Sequence, residues 1–246
     1  MTKTVVIHQP NFLPRIKVLI KIMLSDVWVI YDNVQYVRRE WQNRVFLRDS
    51  QQREVLFTAA TQKADFHEQI NRILLYDTIQ QNKRLEEFVQ YNYSNTPYYD
   101  WIRTYVLNIS SETKNVSDLS TYNIISTNIA LHMLDVQPKE ILASKHQMRS
   151  NGRNEKLIEL CKVSGCGNYI CGSGGKTYIN EQFFNSCGIN VIYYDYSLIQ
   201  GCEGLDMNSC KNKSFIDFIA YNGPERLIDI VNDVKEKQIV DHIKLI

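Results

Sequence analysis

No charge of either sign predominates in this chain of 246 residues: 28 lysines and arginines stand against 27 aspartates and glutamates, a formal net charge of +1. That balance argues against a global field drawing the protein to nucleic acid or an anionic membrane, while leaving room for a local basic site. Also missing is a run of the roughly 18 apolar residues that a bilayer span needs. The start, MTKTVVIHQP, has no charged stretch leading into a long apolar one. Both absences predict a cytoplasmic protein with no membrane partner. The six cysteines, at 161, 166, 171, 187, 202 and 210, contain no C-x-x-C pair. The familiar zinc spacing is therefore absent and no metal is expected; without an export signal, reduced thiols are expected as well. No repeat, low-complexity tract or long linker divides the chain. With 44% hydrophobic and 22% charged residues, it reads as one globular domain over 1–246.

What is present is organised around residues 4–44. The β-branched run at 5–7 ends at His8, and Pro10 follows at once, which is how a buried strand stops. After the His8-Gln9-Pro10-Asn11 turn, Ile16, Leu19, Ile20, Met23 and Leu24 recur at helical spacing, and residues 27–31 form a second apolar run. This is a β-α-β unit with two parallel strands. Ligands of such sheets bind beyond the carboxyl ends of the strands, so residues 8–11 and 32–44 leave from the informative edge.

Further along, residues 45–48 and 54–59 alternate about a polar turn and predict a hairpin. From Phe66 the apolar spacing becomes three and four, predicting two or three helices interrupted at Ser94-Asn95-Thr96-Pro97. Aromatic residues Tyr91, Tyr93, Tyr98, Tyr99 and Trp101 straddle that interruption, as packing or as the wall of a partly wet groove. Asp118 or Ser120 is placed to cap a further helix, and residues 141–143 suggest a short strand. The second half returns to alternation. A helix capped by Asn154 ends at Gly165, a strand at 169–171 runs into Gly172-Ser173-Gly174-Gly175-Lys176, and residues 179–186 are helical. Residues 189–194 have the continuous apolar character of a parallel strand covered on both faces, and 214–221 and 225–234 are helical. The order predicts an α/β fold: an open, mostly parallel sheet, Rossmann-like or nucleotidylyl-transferase-like, with a β-hairpin and a helical insertion at roughly 65–117.

Three stretches carry chemistry. The His8–Asn11 turn sits between a strand end and a helix start, where free N–H groups favour an anion; the plainer reading is a turn whose His8 only bonds backbone. A similar histidine and asparagine spacing grips ATP in nucleotidylyl-transfer folds. The Gly172 to Lys176 turn offers approachable backbone, a hydroxyl and an ammonium for phosphate or carboxylate, although it lacks the Walker A spacing; a simple strand-to-helix turn would look the same. Arg38, Arg39, Gln42, Asn43 and Arg44 surround Trp41 with forked donors beside a large π-face, suiting a sugar, a base or phosphate, or else forming a solvated basic edge. Cys171 is a conceivable nucleophile, but residue order alone assembles no nucleophile and base pair.

The segment HQPNFLP followed by SDVWVIYDNVQYVRREWQNR resembles the opening of the WbqC-like proteins. The resemblance continues in KLIELCK, YICGSGGKTYI, GINVIYYDY and SFIDFIAYNG, spanning nearly the whole chain. The chain departs from the pattern at Arg15-Ile16-Lys17, where the family tends towards Trp, Gly and an aromatic, and in the loop at 205–209. The resemblance implies a transferase of surface-polysaccharide, O-antigen type biosynthesis, attaching an amino-acid or acyl group, notably glycine, to a nucleotide-linked amino sugar. The implied partners are that sugar nucleotide and an activated acyl donor, whether adenylate (with ATP and magnesium), carrier-bound or aminoacyl-tRNA. In that reading His8 is the base that keeps the sugar amine neutral, and Lys176 or the glycine-rich backbone holds the oxyanion. Gln9, Asn11, Asp32, Gln35, Trp41, Gln42, Asn43, Arg44, Gly172, Ser173, Gly174, Gly175 and Tyr178 are the ligand-binding candidates. Two other classes stay open: a nucleotidylyl transferase using ATP or CTP, and a non-catalytic sugar-nucleotide binding protein. If the two halves of the chain close one site, His8 and Lys176 face a single cleft.

Overall fold

The structure is a computed structural model describing residues 2–194 and 212–243. Cys202, Cys210, the loop at 205–209, and Asp195 and Tyr196 of the GINVIYYDY motif lie outside the described residues. The β-branched run of the first segment forms β1 (Thr4–His8), followed by α1 (Ile16–Met23) and β2 (Val27–Ile30). The hairpin is β3 (Arg44–Arg48) and β4 (Glu54–Thr58). Helices α2 (Thr78–Tyr93), α3 (Tyr99–Thr113) and α4 (Leu119–Met133) come next, and β5 (Lys139–Leu142) returns the chain to the sheet. The second half is α5 (Arg153–Ser164), β6 (Asn168–Gly172), a 3₁₀ turn (Ser173–Thr177), α6 (Glu181–Ser186), β7 (Asn190–Tyr194) and α7 (Phe215–Ile243). Gly223, at φ 81°, and Pro224 break α7 in two, where the sequence separates its last two helical runs.

All five strands of the main sheet are parallel, in the order β5-β2-β1-β6-β7, and β3-β4 is a separate antiparallel pair. Counted as they occur in the sheet, the strands run 3-2-1-4-5, so the order reverses between β1 and β6. That is the topological switch point of a doubly wound fold, and the crevice beyond the strand ends there is the favoured ligand position. Side-chain alternation divides the core between the two faces. Val6, Trp28, Ile30 and Ile170 pack with α1, α7 and the α2–α4 helices, whereas Val5, Ile7, Val29, Tyr169 and Cys171 pack with α5 and α6.

Two local expectations need correction. The cap position of α5 is Gly152, with no side-chain cap; Asn154 lies in the first turn, donating to the Tyr178 carbonyl at 3.0 Å and accepting from the Asn180 N–H at 3.0 Å. Its amide ties two segments together, which engages both of its polar ends where a cap would engage one. Strand β7 is an edge strand among the described residues, and Val191, Ile192 and Tyr193 are only half-buried; its apolar run does not mark two covered faces. Asp118 does cap α4, accepting from the Thr121 N–H, while Ser120 is buried within the helix.

Hairpin and body are joined through a buried acid. The Asp217 Oδ1 accepts from the Tyr93 hydroxyl at 2.5 Å and from the Arg48 N–H at 3.2 Å, linking α7, α2 and β3. Burial pushes its carboxyl up to about 6, against the pull of the Tyr93 hydroxyl, Arg48 and Lys213. A raised native pKa means that the native state holds the proton more tightly than the unfolded chain. The associated stability, on the order of 3 kcal/mol, is fully present below about pH 4 and is lost as pH rises through 6. Asp217→Asn keeps an acceptor oxygen and removes the titration. It is expected to match the parent near pH 4 and to exceed its stability at pH 7; urea melts across that range check this, and parallel pH profiles would refute it.

Candidate functional site

The β1–β6 switch point is built from a strand end, a loop and one face of a helix. The two strands pair at Thr4↔Asn168 and Val5↔Tyr169, which puts His8 and Gly172 at neighbouring strand ends. His8 Nδ1 lies 2.8 Å from the Gln9 carbonyl oxygen. Because a carbonyl only accepts, Nδ1 carries the proton and Nε2 keeps its lone pair. Burial, then the Lys21 ammonium, hold His8 well below the usual histidine pKa; Arg15 and Lys17 add to this and the Gln9 hydrogen bond opposes it. The imidazole is therefore neutral at pH 7, with Nε2 available to take a proton.

Lys21 is the residue that sequence reasoning missed. It is 7% exposed and makes no hydrogen bond or ion pair with any described residue. Burial lowers its pKa from 10.5 to about 8, opposed by Cys171 and reinforced by Arg15 and Lys17. A buried cation with no counter-ion among the described residues is costly and is the natural complement of an anion. Its spacing from Lys17 looks like the solvated edge of a helix. The available signal was that residues 18–24 are otherwise uniformly apolar, which marks a helix buried all round. Arg15 and Lys17 fall where the chain departs from the pattern it resembles, and both bear on His8. Asn11 is 2% exposed with both side-chain amide atoms unpartnered, and Leu13 in the same loop holds φ 41°. Orphaned polar atoms and backbone strain of this kind gather at ligand sites.

Across the switch point, the Gly172 to Lys176 turn closes over Cys171. A Cβ on Gly175 would come within 2.0 Å of the Cys171 sulfur, so only glycine fits, while Gly174 faces open space. Burial pushes the Cys171 thiol up, with Lys21 pulling it back; Cys161, Cys166, Cys171 and Cys187 are unpaired thiols. Ser173 opens the turn after Gly172. Lys176 is exposed, its Nζ 5.2 Å from the Tyr193 ring centre, on the β7 side of the turn, and it is not among the charges acting on His8. Tyr178 lies under the Arg153 guanidinium at 4.2 Å.

The loop after β2 is pinned to the His8 turn by amides. Gln42 is buried; its Nε2 donates to Gln9 Oε1 at 2.8 Å and its Oε1 accepts the Val37 N–H at 2.8 Å. Asn123 donates to the carbonyls of Pro10 and Gln42. Gln9 and Gln42 thus hold two loops in register. Asp32 spends both oxygens on Ser144, at 2.9 and 2.5 Å. Gln35 donates to the Phe66 carbonyl, and Trp41 carries Arg15 over its ring at 4.5 Å. Asn43 and Arg44 instead line a cavity of about 460 Å³ with Arg38, Arg39 and Lys63. The candidates thus divide into a crevice around His8, Asn11 and Gly172, and a basic pocket around Asn43 and Arg44.

The sequence pattern of the WbqC-like protein family matches residues 9–229. The uncharacterized protein Rv1507c of Mycobacterium tuberculosis is 26% identical over 194 residues, covering 79% of this chain and 83% of that protein. No solved structure gives a significant match. Among the described residues, no helix is long and apolar enough to cross a membrane.

Proposed function

For this chain, which belongs to the WbqC-like protein family, we propose a transferase of surface-polysaccharide biosynthesis that joins an amino-acid or acyl group, glycine first, to the amine of a nucleotide-linked sugar. The observation that carries the reading is a neutral imidazole, its Nδ1 on the Gln9 carbonyl and its Nε2 unprotonated, under the charge of a buried ammonium that has no hydrogen bond or ion pair with any described residue. Amide formation needs both. The neutral sugar amine attacks the acyl carbon, and Nε2 of His8 accepts the proton that the amine sheds as the C–N bond forms. Negative charge collects on the former carbonyl oxygen, which the Lys21 ammonium stabilises at little cost in reorganisation because it is already desolvated. Collapse returns the electron pair to the carbonyl and expels the donor's leaving group. The role first read onto Lys176 therefore passes to Lys21.

The test offers the purified chain UDP-linked amino sugars with glycine presented as adenylate, thioester or aminoacyl-tRNA, and reads the sugar nucleotide by mass spectrometry. A product heavier by one glycyl group is expected. Pyrophosphate released from CTP or ATP with a sugar 1-phosphate, in the absence of any amine, would mark a nucleotidylyl transferase instead. A melting temperature raised by the sugar nucleotide, with no product from any donor, would mark a binding protein.

A further inference from the structure

We infer that the pocket beside the β3–β4 hairpin is a second anion site, separate from the His8 crevice, which binds the diphosphate of a small ligand. Its rim carries three guanidinium groups and one ammonium, from Arg38, Arg39, Arg44 and Lys63, and no carboxylate among the described residues that line it. Forked guanidinium donors match phosphate oxygens in pairs. A volume of about 460 Å³ exceeds one phosphate and lies within the range of small-molecule pockets. The polar groups are preset. The Arg38 Nη2 donates to the Ala64 carbonyl at 2.8 Å, which anchors that fork. Arg39 holds φ 67°, a left-handed backbone that a non-glycine residue adopts only under constraint.

An independent observation points to a ligand rather than a solvated edge. Asn43 is 8% exposed, and its Nδ2 donates to the Ala59 carbonyl at 3.2 Å, leaving Oδ1 buried without a partner. The Arg44 Nε is likewise buried and unpartnered. One acceptor and one donor stand unsatisfied in the wall of a cationic pocket, as suits a ligand that offers a hydroxyl or N–H close to its phosphates. A nucleic-acid strand fits less well. The adjoining depression shares Gln62, Lys63 and Ala64 but adds Asp65, Glu68 and Arg72, with Arg72 3.8 Å from Glu68, so a phosphate chain running onward would leave a wholly cationic wall for one in which carboxylates offset the cations. The site stands whatever chemistry occurs at His8, and rests on the transferase reading only for what the diphosphate carries.

Inorganic pyrophosphate, titrated calorimetrically into the full chain at fixed ionic strength, is the probe. Binding is expected, weakened at least about tenfold by Lys63→Ala and by Arg44→Lys, and unaltered by His8→Ala or by Lys83→Ala on the exposed face of α2. Lys63 is on the surface, so its variant keeps the test decisive should Arg44 prove necessary for folding. The inference would be overturned by no binding of pyrophosphate, by binding indifferent to Lys63 and Arg44, or by loss on His8→Ala, which would place the anion in the crevice. Binding of a single-stranded RNA oligonucleotide in place of pyrophosphate would also overturn it. Failure of the transfer assay with these results intact would refute the enzyme reading alone.

Discussion

Lys21→Met is expected to make the protein more stable and inactive at once. The stability gain follows from the pKa of Lys21, lowered by burial from 10.5 to about 8, which at neutral pH represents roughly 3 kcal/mol of unfavourable charge burial. Methionine retains the unbranched stem that packs within α1 and removes the ammonium. For a lowered lysine pKa, the penalty is fully present below about 8 and fades as pH rises towards 10.5, because there the unfolded chain binds the extra proton. The advantage of the variant in urea unfolding should therefore be greatest near pH 7 and disappear at high pH. Loss of activity follows if the ammonium serves the developing oxyanion, and a deficit of about 10²-fold or more in kcat is expected. A variant that is destabilised would reveal a native counter-ion for Lys21. One that is stabilised and fully active would confine the lysine to an unfavourable accident of packing.

His8→Ala is expected to lower kcat by about 10²- to 10⁴-fold while leaving the melt close to that of the parent, since among the described residues the ring bonds only the neighbouring Gln9 carbonyl. The acid limb of the parent's pH–rate profile should fall well below 6.5, because burial and the Lys21 charge hold the imidazole neutral. NMR titration of the His8 ring supplies a reading that does not depend on turnover. In Lys21→Met its pKa should rise, though not fully to 6.5, because burial remains. An unchanged titration would show that the two groups do not share one crevice. Large destabilisation by His8→Ala, with turnover kept, would make the histidine a structural residue of the turn.

Local patterns were sufficient for β1, α1, β2, the hairpin and most later helices, since strand alternation, helical spacing and caps such as Asp118 act within a few residues. The same logic located the edge of the sheet, because loops that follow parallel strands emerge together, and so it named His8, Asn11, Asn43 and Arg44. It misjudged Asn154, whose amide joins Tyr178 and Asn180, and β7, whose cover depends on its place in the strand order. Tertiary packing decided what sequence spacing left ambiguous. Lys17 and Lys21 are alike in the sequence, yet the closed fold buries Lys21 and leaves Lys17 part-exposed. Glutamines 9 and 42, 33 residues apart, meet as a structural pair, and Lys176 turns towards Tyr193. Burial of a charge is a property of everything packed around it, contributed by distant segments. A chain therefore announces its strands and helices locally, whereas its buried cations become visible only once the fold has closed around them.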